Sequence, residues 1–151
     1  MIVRPGADGE PVPDGSRVIR LAVRSKDFQE TGKVSPLTFK LSSTERQDKP
    51  ARLSVFVEDL TTPAQAAVIL GRESYTLVVR LEVDQVGSLK VEPDLPAAPG
   101  LDVQWHPIDD TRPGASGHAG VTGLDHSNGA VRKSFRVRLA DIAVVEELGQ
   151  P

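Results

Sequence analysis

The sequence predicts an α+β fold, a small mixed or antiparallel sheet of five to seven short strands with about two helices. Three observations carry that expectation. Tyr75, Leu77, Val79, Leu81 and Val83 alternate with Thr76, Val78, Arg80 and Glu82, which is the two-residue period of a strand. Leu53, Val55 and Val57 likewise face one way, with Ser54, Phe56 and Glu58 on the other side. Behind them, Thr62-Pro63 supplies a helix N-cap and a proline at the first helical position, where the missing N–H costs nothing.

Taken in chain order, residues 1–15 mix Pro, Gly, Asp and Glu with little to bury, so a loose N-terminal arm is expected before a single domain over 16–151. Arg17 to Arg24 reads as the first strand. Glu30-Thr31-Gly32-Lys33 reads as a turn. From Val34 to Leu41, Leu37, Phe39 and Leu41 alternate with Thr38 and Lys40, again a half-buried strand. Ser42 to Ala51 is polar, charged and interrupted by Pro50, hence a surface loop. The helix that opens at Pro63 should run to about Leu70, with Gly71 at its C-terminal cap. Val78 makes the strand from Tyr75 to Val83 apolar on both sides midway, as a central strand would be.

Leu89 to Glu92 reads as a further short strand, Pro93 to Gly100 as a connector, Leu101 to Trp105 as a strand and Pro107 to Gly117 as a long polar loop. His118 to Leu124 is a compact run of small and apolar residues and reads as a buried strand. In the tail, Val131, Phe135, Leu139, Ile142 and Val145 fall on one helical face. A strand over Phe135 to Leu139 is the alternative. Basic residues at the start of that helix and Glu146-Glu147 at its end would oppose the helix dipole.

Composition limits the function classes. The chain has 151 residues, enough for one core of ordinary size, but only 4% aromatics, so Val, Leu, Ile and Ala must fill it. No cysteine is present, which excludes disulfides, zinc knuckles and thiol catalysis. A formal net charge of -3 argues against a dedicated nucleic-acid binder. No apolar run approaches the roughly 18 residues of a membrane span. The start carries no apolar secretory segment, and a cytoplasmic location is expected.

Candidate chemistry gathers in the second half. His106, His118 and His126 lie near Asp109, Asp110 and Asp125 in the sequence, a set able to bind a divalent ion or perform acid–base work. Their spacing matches no metal motif, so neither metal nor cofactor is expected. His118, at the junction of a glycine-rich loop and an apolar run, is read either as a general base or ligand contact, with a carboxylate from Asp109, Asp110 or Asp125, or as a ring satisfied by backbone groups at a sheet edge. No nucleophile stands beside it in sequence, and Gly114 to Gly120 lacks the spacing of a phosphate-cradling loop. Arg132, Lys133 and Arg136 form a basic patch that can contact phosphate or an acidic protein, or serve as an ordinary solvated face. Trp105, the sole tryptophan, is either a partner anchor or core.

The order of Gly32-Lys33-Val34-Ser35-Pro36, Leu53-Ser54-Val55, Thr61-Thr62-Pro63 and His118-Ala119 resembles a group of small uncharacterised bacterial proteins with a Leu-Ser-Val strand, a Thr-Thr-Pro helix start and a late His-Ala segment. The resemblance implies no catalytic residues. A small bacterial accessory or binding protein acting through contact with another protein is therefore expected, with a metal-dependent or His-based hydrolase using His118 and a nearby Asp as the alternative.

Overall fold

The computed structural model describes residues 3–23, 32–72 and 74–148. Its centre is an antiparallel sheet of six strands in the order β4-β5-β2-β1-β3-β6. The strands are β1 (Arg17–Ala22), β2 (Arg52–Val57), β3 (Leu77–Glu82), β4 (Asp102–Trp105), β5 (His118–Thr122) and β6 (Val144–Glu147). Four α-helices accompany them: α1 (Ser43–Gln47), α2 (Pro63–Leu70), α3 (Val83–Gly87) and α4 (Gly129–Ile142). The α+β class and the antiparallel sheet stand as expected, with more helices than the apolar periodicity discloses.

Alternation along the strands divides the interior in two. Val18, Leu53, Val55, Val57, Leu77, Val79 and Leu81 join Val131, Phe135 and Leu139 of α4 in the main core. On the opposite face, Ile19, Leu21, Phe56 and Val78 meet Ala66 and Ala67 of α2. The apolar Val78 is thus explained by a sheet covered on both sides. The start of α2 is fixed by a reciprocal cap: the Gln65 amide donates to Thr62 Oγ1 at 3.2 Å, and the Thr62 amide donates to Gln65 Oε1 at 3.0 Å. Gly71 ends the helix at φ 66°, a left-handed conformation that residues with a Cβ resist.

Several expectations are corrected. Val34 to Leu41 is not a strand: Ser35 caps a 3-10 turn over Pro36–Phe39, with proline at its start. Phe39 is 0% exposed while Leu37, two residues away, is 64% exposed. The polar stretch after it contains α1, formed by a Ser42–Glu45 capping box that the charged composition masked. Leu89 to Glu92 is irregular, and Val83 begins α3 instead of ending a strand. The tail splits. Ala143 turns to extended backbone at φ -67°, ψ 137°, and the next four residues pair with β3 as β6. Glu146 and Glu147 therefore lie on a strand, and the conflict with a helix dipole does not arise. Arg24 at the end of the first strand and Glu30-Thr31 at the start of the turn lie outside the described residues.

The N-terminal arm is docked. The Gly9 amide donates to the Trp105 carbonyl at 3.0 Å, the Val12 amide to the Val103 carbonyl at 2.9 Å, and the Trp105 amide to the Glu10 carbonyl at 2.9 Å. The arm covers the outer edge of β4, which would otherwise present unpaired backbone groups. Trp105 is 3% exposed beneath it, with Gly6 against its ring. Deleting residues 1–12 is expected to move Trp105 fluorescence emission to longer wavelength and to promote self-association. An unchanged emission maximum would show that the arm does not seal the ring.

Candidate functional site

Two sites emerge, one around His118 and one on the basic face of α4. Register builds the first. β2 and β5 pair antiparallel with Phe56 opposite His118 and Ser54 opposite Gly120. Side chains two residues apart share a face, so Ser54, Phe56 and His118 meet on one side of the sheet. Because position 120 has no side chain, space there is left to the Arg52 stem, and a Cβ on Gly120 would stand 2.5 Å from Arg52 Cβ.

His118 is 7% exposed, with both ring nitrogens engaged. Nδ1 lies 2.6 Å from the His106 carbonyl oxygen and Nε2 lies 2.7 Å from Ser54 Oγ. A carbonyl only accepts, so Nδ1 carries the proton and donates. Nε2 is then a bare lone pair, and the Ser54 hydroxyl donates to it. The Phe56 ring meets the imidazole edge-on at 5.1 Å, and the His106 ring lies 4.9 Å away. Burial pushes the His118 imidazole below its ordinary pKa; the hydrogen bond to the His106 carbonyl works the other way, and the nearby His106 and Arg52 charges lower it further. Burial, then the Arg52 charge, lowers His106 as well. Its Nδ1 is buried without a hydrogen-bond partner.

Ser54 is held from all sides. Its amide donates to Glu45 Oε2 at 2.7 Å, while Glu45 Oε1 accepts from the Ser42 amide at 2.8 Å. The capping carboxylate of α1 thus also ties that helix to β2. The Ser54 carbonyl accepts from Arg20 Nη1 at 2.8 Å. The β1–β2 ladder contains two residue pairs, Val18 with Val57 and Ile19 with Phe56, and the Arg20 guanidinium follows where it stops. Ser54 borders a cleft of about 360 Å³ with Leu37 and Leu70 as its exposed apolar rim, buried Ile19 and Phe56 beneath, and Arg20 and Glu45 among its polar walls. Chemically the arrangement is a hydroxyl hydrogen-bonded to a neutral, oriented imidazole.

None of the three candidate carboxylates is engaged with His118, whose ring partners are the His106 carbonyl and Ser54. Asp110 is taken by Arg112, whose Nη2 lies 2.6 Å from Oδ2, and whose Nη1 donates to the Val68 carbonyl at the end of α2. That guanidinium holds the Asp110 carboxyl down at about 2. Asp125 belongs to the second site, and Asp109 is exposed. Among the described residues, no group of three or more His, Asp or Glu side chains is placed to hold a metal ion. Trp105 is core. Arg52, 6% exposed, reaches Asp8 Oδ1 at 2.9 Å and the Trp105 carbonyl at 3.3 Å.

The second site is a hollow of about 350 Å³ lined by Lys40, Arg46, Lys49, Arg132 and Arg136, with Asp125 its one carboxylate. The sequence patch is thus reshaped. Arg132 and Arg136, one helical turn apart on α4, meet Lys40 just after the 3-10 turn, Arg46 of α1 and Lys49 just beyond it, whereas exposed Lys133 is not in the lining. Arg132 Nη1 is bound to the His126 carbonyl at 2.6 Å. Arg136 has a buried Nε without a partner, and burial, then the charges of Arg132 and Arg46, lower its pKa. No ion pair engages the five cations among the described residues.

Sequence reading missed Ser54 and the Lys40, Arg46 and Lys49 contribution. Ser54 faces away from Leu53 and Val55 by strand alternation, but its partner is 64 residues away, and only the β2–β5 register joins them. Comparison with protein-family models, curated proteins and solved structures finds no match for this chain.

Proposed function

We propose that the protein is a small accessory binding protein that docks an acidic segment of a partner protein in the hollow between α1 and α4. The observation that carries this reading is five cationic side chains converging on one concavity against a single carboxylate, in a chain of net charge -3. Like charges held together disfavour the folded state, and after burial the charges of Arg132 and Arg46 lower the Arg136 pKa from its ordinary value. An anionic occupant relieves that repulsion. Carboxylates or a phosphorylated side chain on a protein segment fit a concavity of about 350 Å³. A nucleic-acid backbone calls for an extended basic stripe, and the overall charge works against it.

The test is titration of a fluorescent acidic peptide, with an oligonucleotide of equal charge run in parallel. The double substitution Arg46→Glu with Arg136→Glu is expected to weaken peptide binding at least tenfold, and added salt should weaken the wild type. Binding unaltered by the reversal would remove the hollow from the function. Tighter binding of the oligonucleotide would reassign the partner class.

A further inference from the structure

Beyond docking, we propose that Ser54 is a nucleophile activated by His118 and that the cleft it borders admits a small carboxylic ester. Three features of the geometry carry the inference. The Ser54 hydroxyl hydrogen is directed at a basic Nε2 at 2.7 Å, within the reach expected of a nucleophile and its base. The other ring nitrogen is pinned by the His106 carbonyl at 2.6 Å, which fixes the tautomer as a carboxylate does in serine hydrolases. Ser54 also borders a cleft of about 360 Å³, where exposed Leu37 and Leu70 offer an apolar surface for an acyl group and Arg20 supplies positive charge.

The chemistry balances with water as the co-reactant. Ser54 Oγ attacks the ester carbonyl carbon, forming a C–O bond while its proton passes to His118 Nε2. Collapse of the tetrahedral oxyanion breaks the bond to the leaving alcohol, which takes that proton. Water then attacks the acyl-serine, His118 accepts its proton, and the proton returns to Ser54 Oγ as the acid leaves. The net reaction is ester plus water to carboxylic acid plus alcohol. A carbonyl orients the ring but does not neutralise the imidazolium formed in each step, so turnover is expected to be slow compared with a carboxylate-backed triad.

A fluorophosphonate probe tests this on the intact protein, with peptide mapping of the adduct and hydrolysis of p-nitrophenyl acetate as a second readout. A single adduct on Ser54 is expected in the wild type, with a labelling rate that rises as His118 loses its proton. Ser54→Ala should remove the adduct. His118→Asn keeps a donor for the His106 carbonyl and lacks the Nε2 base, so labelling should fall by about a hundredfold, within the range general-base catalysis supplies. Thermal melts establish that both variants fold. Absence of a Ser54 adduct in the wild type overturns the proposal whatever the variants do. Equal labelling of the His118→Asn protein would reduce the pair to a hydrogen bond that satisfies a buried ring.

Discussion

Replacing Phe39 by alanine is expected to destabilise the protein by about 3–5 kcal/mol, whereas Leu37→Ala should leave stability within about 0.5 kcal/mol. Phe39 is fully buried in the main core, where the 3-10 turn that carries it packs on α4 beside Val131, Phe135 and Leu139. Truncation removes the transfer energy of a ring and leaves a cavity that the turn, held by Ser35 and Pro36, cannot collapse to fill. Leu37 projects into solvent at 64% exposure and loses little. For a domain of this size the Phe39 change should lower the melting temperature by on the order of 10 °C. The pair of measurements also discriminates conformations. A strand over Val34 to Leu41 would bury both side chains and make both substitutions costly, so a large loss at Leu37 would overturn the 3-10 assignment.

That segment shows what local pattern conveys and what it does not. Strands paired over several residues, such as β2 and β3, are legible because their apolar alternation marks the face turned to the main core, even though Phe56 and Val78 are buried on the other face. The α2 helix is legible because its Thr-Pro start and glycine stop are local chemistry. Between Val34 and Leu41 the same alternation misleads, because the Ser35-Pro36 cap curls the chain: Val34, Phe39 and Leu41 reach the core while Leu37 is left in solvent. At the C-terminus the helical template runs past Ile142 since Val145 suits either conformation; pairing with β3 decides it. The candidate sites follow this rule. His118 stands out by its place at the head of an apolar run. Its true neighbours, Ser54 and the His106 carbonyl, are set by sheet register and by the return of the chain from β4. The basic residues of α4 are visible in sequence, but their convergence with Lys40, Arg46 and Lys49 requires the packing of the 3-10 turn on that helix.

Acidification from pH 7 to pH 5 is expected to weaken the fold, with His118 a principal cause. Its imidazole is buried among Phe56, His106 and the Arg52 charge, so its folded-state pKa lies below the ordinary value near 6.5. Once pH falls below that ordinary value, the unfolded chain binds a proton that the folded protein does not. The unfolded state is favoured by that uptake, and stability declines as pH falls toward the lowered folded value. His106 is lowered in the same direction and adds to the decline. The neighbouring carboxylates do not reverse this trend. Glu45, the anion that favours a charged His118, is a smaller influence than burial, and Asp110, held at about 2, loses its contribution only in far more acidic solution. Urea denaturation at pH 7, 6 and 5 measures the effect: the wild-type midpoint should drop stepwise, and the His118→Asn protein should show a shallower drop from its own value at pH 7. Protonating His118 also removes the acceptor for the Ser54 hydroxyl, so the same window must quench Ser54 labelling. A wild-type midpoint that holds or rises between pH 7 and 5 would mean that the buried imidazole already carries its proton, and the hydroxyl–imidazole pair would then have its donor and acceptor reversed.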